Sequence, residues 1–144
     1  VPDYQARASA AFAQGNLGKA MRYAKSEDFI ERKDHIISLL RHVEQMDLSE
    51  MLAVIKDLGT RKDEVRDYID LMVLWYRDVL LFKATKDINQ LLFQDEASYI
   101  SREASHRSYE KIEEILQAFE KAKVRLRANV NFDITMELML LTLK

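Results

Sequence analysis

The sequence predicts an all-α helical bundle, and three observations carry that prediction. Glycine and proline are scarce, at 3 and 1 in 144 residues, and all of them lie before residue 60. A β-rich chain of this length would need many more turn residues. Apolar residues recur at spacings of three and four along most of the chain, the period of an amphipathic helix. No alternating run of useful length marks a strand.

The elements follow in order. Asp3 can cap a short first helix running through Tyr4, Ala8, Ala11 and Phe12, which Gly15 ends. Asn16 caps a second, with Leu17, Ala20, Met21 and Ala24 on one stripe. Ser26 opens a longer helix whose apolar face holds Phe29, Ile30, Ile36, Ile37, Leu39, Leu40 and Val43. Leu48 starts the next, with Met51, Leu52, Ile55 and Leu58 inward and Gly59 at its close.

The stretch Asp63–Lys83 is the most strongly apolar long helix. Val65, Tyr68, Ile69, Met72, Val73, Trp75, Tyr76, Val79, Leu80 and Phe82 cover most of its circumference. A helix apolar nearly all round is central and is packed from several sides. Asp87 caps a short piece over 88–93, and a mostly polar segment runs from Ser98 to His106. Ser108–Leu126 is amphipathic through Tyr109, Ile112, Ile115, Leu116, Phe119 and Val124. Asn129, Val130 and Asn131 break the chain, and Asn131 caps a last helix over Phe132–Leu143 with Asp133 in its first turn.

Composition excludes several function classes. Hydrophobic residues make up 48% and charged residues 32%, the balance of an ordinary globular chain. There is no cysteine, hence no disulfide framework, no thiolate zinc site and no thiol nucleophile within the chain. The 22 basic and 24 acidic residues nearly cancel, so no global field draws in nucleic acid or a membrane surface. No run is long and apolar enough to span a bilayer: Leu71–Phe82 is interrupted by Arg77 and Asp78. The chain starts at Val1, with no apolar signal-peptide region behind it, and reads as a fragment or a processed product.

The catalytic inventory is thin. No phosphate-cradling glycine loop, dinucleotide fingerprint or nucleophile elbow occurs. His35 and His42 lie two turns apart on one helix and would bind a metal only with carboxylate help. Acid pairs such as Glu113 and Glu114 read as helix charge patterning. Accordingly no catalytic, cofactor or metal residue is assigned.

Four features point to contacts instead. Lys121, Lys123, Arg125 and Arg127 form a basic run at a helix C-terminus, which reads as dipole complementation on a solvated face, with phosphate contact as the alternative. Arg77 and Asp78 stand inside the most apolar helix, where charges make either an internal ion pair or a polar contact across an interface. Trp75 and Tyr76 are core residues or interface anchors. The last helix carries Ile134, Met136, Leu138, Met139, Leu140, Leu141 and Leu143, and needs cover on both sides, either from its own domain or from partners.

Three stretches together resemble one family. They are Leu74-Trp75-Tyr76-Arg77-Asp78-Val79-Leu80-Leu81; Leu126-Arg127-Ala128-Asn129-Val130-Asn131 followed by Met136-Glu137-Leu138-Met139-Leu140; and Gly15-Asn16-Leu17-Gly18-Lys19-Ala20. In this order and spacing they resemble the C-terminal part of the delta-prime subunits of bacterial DNA polymerase III clamp loaders. The resemblance covers nearly the whole chain.

It implies that residues 1–25 are the end of the helical lid of an AAA+ module, and that 26–144 are a helical collar through which five subunits pack into a ring. ATP-binding relatives place a nucleotide-sensing arginine where Gly18 stands, with Lys19 out of register, and this departure suits delta-prime. The implied role is structural: the collar holds the loader together while ATPase modules of the gamma/tau subunits open a sliding clamp. The implied partners are the gamma/tau and delta subunits, with clamp and primer-template DNA met only through the whole complex, in the cytoplasm and away from membrane. No cofactor is implied. The interface residues expected on this reading are Trp75, Arg77, Asp78, Arg127, Asn129, Asn131, Met136, Glu137 and Leu140. A gamma/tau collar and a free-standing helical adaptor are the alternatives.

Overall fold

The computed structural model describes residues 27–144, with side chains from Ile30 onward. The two short helices expected within 3–25, Phe29 on the following helix face and the opening at Ser26 lie outside what is described. Six α-helices follow one another: α1 (Glu27–His42), α2 (Leu48–Gly59), α3 (Val65–Thr85), α4 (Ala97–His106), α5 (Tyr109–Arg127) and α6 (Phe132–Leu143). Short 3₁₀ turns lie between α1 and α2, α2 and α3, and α3 and α4, and no strand occurs among the described residues. The expected all-α bundle is what forms.

Local chemistry sets the helix starts. Asp47 accepts from the Glu50 amide at 2.8 Å while Glu50 reaches back to the Asp47 amide, a reciprocal cap on α2. Ser108 accepts from the Lys111 amide and opens α5. Asn131 accepts from the Ile134 amide at 3.0 Å and opens α6. Asn129 takes φ 55°, the left-handed conformation that lets the chain reverse between α5 and α6.

α3 is the central element. It packs against α1, α4 and α5, while α6 packs against α5 and α2. Twelve of its residues are buried, Tyr76, Val79 and Ile69 with essentially no exposed surface. The expected faces hold for Ile36, Ile37, Leu39, Leu40 and Val43 on α1, and for Met51, Ile55 and Leu58 on α2. Ile30, Leu52, Tyr109 and Val124, expected inward, are exposed.

The loop from Thr85 to Glu96 is tied back to α3 by Asp78. Its buried carboxylate accepts from the Leu92 amide at 3.0 Å and the Phe93 amide at 2.8 Å. Leu91 and Phe93 are thereby held in the core, and the Phe93 ring lies 6.0 Å from Trp75. Replacing Asp78 by Ala strips two largely buried amides of their acceptor. A loss of about 2–3 kcal/mol is expected in urea unfolding, because charge-assisted bonds in a dry site are strong and costly to leave unmade. An unchanged midpoint would show that the loop does not depend on this carboxylate. From the other side, Lys33 on α1 pairs with Asp95 at 3.0 Å and Arg41 pairs with Glu96.

Candidate assembly surface

The described residues hold no group of three or more His, Asp or Glu placed to bind a metal. The histidines are scattered in their roles. His35 stands edge-on to the Tyr68 ring at 5.6 Å, His42 Nδ1 donates to the Ser38 carbonyl at 2.7 Å, and His106 lies 3.5 Å from Glu44. A cavity of about 370 Å³ between α1 and α4 is lined by Arg41, Glu44, Tyr99, Arg102, Glu103 and His106. Most of its charges are engaged within the chain: Arg41 stacks on Tyr99 at 3.8 Å, while Glu44 and Glu103 both pair with Arg107. Ser105 also lines the cavity, but among the described residues no hydrogen bond joins its hydroxyl to His106, so no activated nucleophile is formed there. Among the described residues no helix is long and apolar enough to cross a membrane.

The nine residues expected at an interface divide into two groups. Trp75, Asp78, Met136 and Leu140 are buried in the core of the chain itself and offer no side-chain surface to a partner. Asp78 turns inward to the loop amides, and Trp75 meets Phe93. Arg77, Arg127, Asn129 and Asn131 are exposed, and Glu137 is half-buried. Asn131 is occupied as the α6 cap and Asn129 as the left-handed turn residue.

α6 has two apolar faces. Met136, Met139, Leu140 and Leu143 point inward and are fully buried. Ile134, Leu138 and Leu141 sit on the opposite side, with 55%, 45% and 47% of their surface in solvent. Their spacing of four and three residues puts them on one stripe. Val130 in the preceding turn and Val124 on α5 are exposed as well. The signal for this stripe was in the sequence, where Ile134, Leu138 and Leu141 share a phase distinct from that of Met136, Leu140 and Leu143.

The basic run on α5 splits across the helix. Lys123 is consumed within the chain, 2.6 Å from Asp70 on α3 and 3.8 Å from Glu120. Lys121 and Arg125 project on the other side, into a groove of about 190 Å³ between α5 and α6 whose α6 wall is Leu138, Met139 and Thr142.

Behind this surface lies a polar knot that sequence reasoning missed. Arg107, at the end of α4, is 4% exposed. It donates to Glu103 at 2.6 Å and to the Leu143 carbonyl at 2.6 Å, and it pairs with Glu44 at 2.7 Å. Burial works against its charge, but Tyr76, the hydrogen bond and charge of Glu103, and Glu44 outweigh it and hold the guanidinium pKa above its ordinary value. Its partners are remote in sequence, so no local pattern marks it.

Tyr76 borders the knot, 6.0 Å from the guanidinium, and its hydroxyl has no hydrogen-bond partner among the described residues. Burial above all, helped by Glu103, opposed by Arg107 and helped by Glu44, holds its phenol well above the ordinary value. The unfolded chain releases this proton near pH 10 while the folded chain keeps it. The stability it contributes is therefore whole below about pH 10 and is lost as pH rises beyond, at about 1.4 kcal/mol per pH unit. Tyr76→Phe is expected to match the parent within about 1 kcal/mol at pH 7, since an unpartnered buried hydroxyl contributes little. It should lose less stability between pH 10 and 11. Urea unfolding at the three pH values, with exposed Tyr109→Phe as control, reads the difference; parallel decline of both variants and parent would refute it.

Comparison with known proteins gives one family. The family model described as DNA polymerase III, delta subunit, C terminal, matches residues 26–144. No curated protein and no solved structure matches the chain.

Proposed function

The chain belongs to the family formed by the C-terminal domains of DNA polymerase III delta subunits, a clamp-loader family, and from that premise we propose that it is the collar region of a delta-prime subunit. Residues 26–144 are then the oligomerisation domain, and residues 1–25 the end of an AAA+ lid. On this reading the domain works by holding subunits together. The ATPase modules of gamma/tau supply the motion that opens the sliding clamp. Clamp and primer-template DNA are reached only through the complex, in the cytoplasm. Gly18, where ATP-binding relatives carry an arginine, favours delta-prime over a gamma/tau collar.

The observation that carries the reading is the outward stripe of Ile134, Leu138 and Leu141. Fully burying an aliphatic side chain contributes about 1.5–3 kcal/mol, so covering three half-exposed ones offers roughly 2–4 kcal/mol to association. A collar needs wide apolar helix faces and few reactive groups, and the described residues have that balance.

Size-exclusion chromatography with light scattering tests it, mixing the 144-residue chain with gamma/tau and delta subunits of the same organism. A stable stoichiometric complex is expected. Failure to associate with well-folded partners, repeated with the full-length protein, would overturn the reading and favour a free-standing adaptor.

A further inference from the structure

We propose that the α5–α6 groove seats an acidic amphipathic helix of a partner protein, with its apolar side on Ile134, Leu138 and Leu141 and its carboxylates on Lys121 and Arg125. This rests on the assembly reading above and adds the chemistry of what docks there.

Leu138 joins the two features, as the middle of the exposed stripe and as part of the groove wall. Across from it, Lys121 and Arg125 are one helical turn apart on α5. Among the described residues neither has an ion pair or a side-chain hydrogen bond, whereas their neighbour Lys123 is held by Asp70 and Glu120. Glu114, at one end of the groove, lies 4.0 Å from Lys111. The surface is thus an apolar ladder edged by two unmatched cations.

That pattern selects its occupant. A helix lying along α6 meets the ladder with apolar residues at its own spacings of three and four. A purely apolar helix would take water from Lys121 and Arg125 and return nothing. A basic one would be repelled. Single-stranded nucleic acid would satisfy both cations but would leave three aliphatic side chains wet, with no aromatic ring in the groove for a base to stack on.

The test titrates the 144-residue chain against the gamma/tau and delta subunits at several salt concentrations. Lys121→Glu with Arg125→Glu should weaken the complex at least tenfold at 0.1 M salt. Lys121→Gln with Arg125→Gln should weaken it less and flatten its salt dependence. Both variants should melt as the parent does. Three results would overturn the proposal. If Leu138→Asp with Leu141→Asp abolishes the complex while the charge variants bind as the parent or tighter, the assembly reading stands and the acidic partner falls. If the chain holds a labelled single-stranded oligonucleotide through Lys121 and Arg125, and the charge variants still assemble, the groove takes nucleic acid. If the parent itself forms no complex, the assembly reading falls and takes this inference with it.

Discussion

Leu140→Asp is expected to unfold the chain, and Leu138→Asp to leave it folded but unable to assemble. The two residues lie two positions apart on one helix, and the structure puts them on opposite sides of it. Leu140 has no exposed surface and packs in the shared core, whereas Leu138 is 45% exposed. Truncating a buried leucine already costs about 2–5 kcal/mol through lost contacts and the cavity left behind. A carboxylate in its place adds the penalty of an unpaired buried charge, several kcal/mol more. Against a total stability of roughly 5–15 kcal/mol, that removes most or all of the folded population. Leu138→Asp removes little buried surface and should shift stability by less than about 1 kcal/mol. It places a negative charge in the middle of the stripe, where an incoming apolar face would have to desolvate it. Circular dichroism melts separate the first effect, and co-migration with partner subunits the second. Equal melts for the two variants would mean that α6 does not have the inward and outward faces described.

The contrast also shows how far residues alone could carry the reading. α6 was legible as a helix over 132–143 that is too apolar for one-sided burial, and its Asn131 cap was legible too. Which phase of the helix turns inward was not. Both stripes are aliphatic, and the choice is made by α5 and α2, which cover Met136, Met139, Leu140 and Leu143. Met136 and Leu140 were expected at an interface because they stand in the family-like stretch, but they are buried, and the side chains that α6 leaves in solvent are Ile134, Leu138 and Leu141. Asp78 was legible as an anomaly, a charge inside the most apolar helix. Its amide donors come from a loop 14 and 15 residues onward, and helix periodicity says nothing of where a loop returns. The basic run on α5 was legible as a cluster. Its division into an internal Lys123 and an outward Lys121 and Arg125 depends on Asp70 standing across on α3.

Arg107→Ala is expected to cost about 3–5 kcal/mol, the range for breaking a buried charged network by removing one side of it. Its guanidinium gathers three ends of the fold: Glu103 on α4, Glu44 in the turn after α1, and the Leu143 carbonyl at the end of α6. Two of the three contacts are to carboxylates, Glu44 and Glu103, which would both lose the guanidinium that pairs with them. The third satisfies one of the last α6 carbonyls, which no amide within the helix can reach. Arg107→Lys should restore only part of the loss, since a single ammonium cannot present the planar fork that spans these acceptors. Thermal melts read the total, and amide hydrogen exchange in the last turn of α6 reads the local part. That turn has one further tie, Lys144 Nζ donating to the Met46 carbonyl at 2.6 Å. Loosening it frays the helix that carries Leu141 on its outer side. Arg107→Lys should therefore weaken assembly even at temperatures where the chain remains folded, although Arg107 is buried. Unchanged exchange at the end of α6 in that variant would show that Lys144 and core packing hold the helix alone.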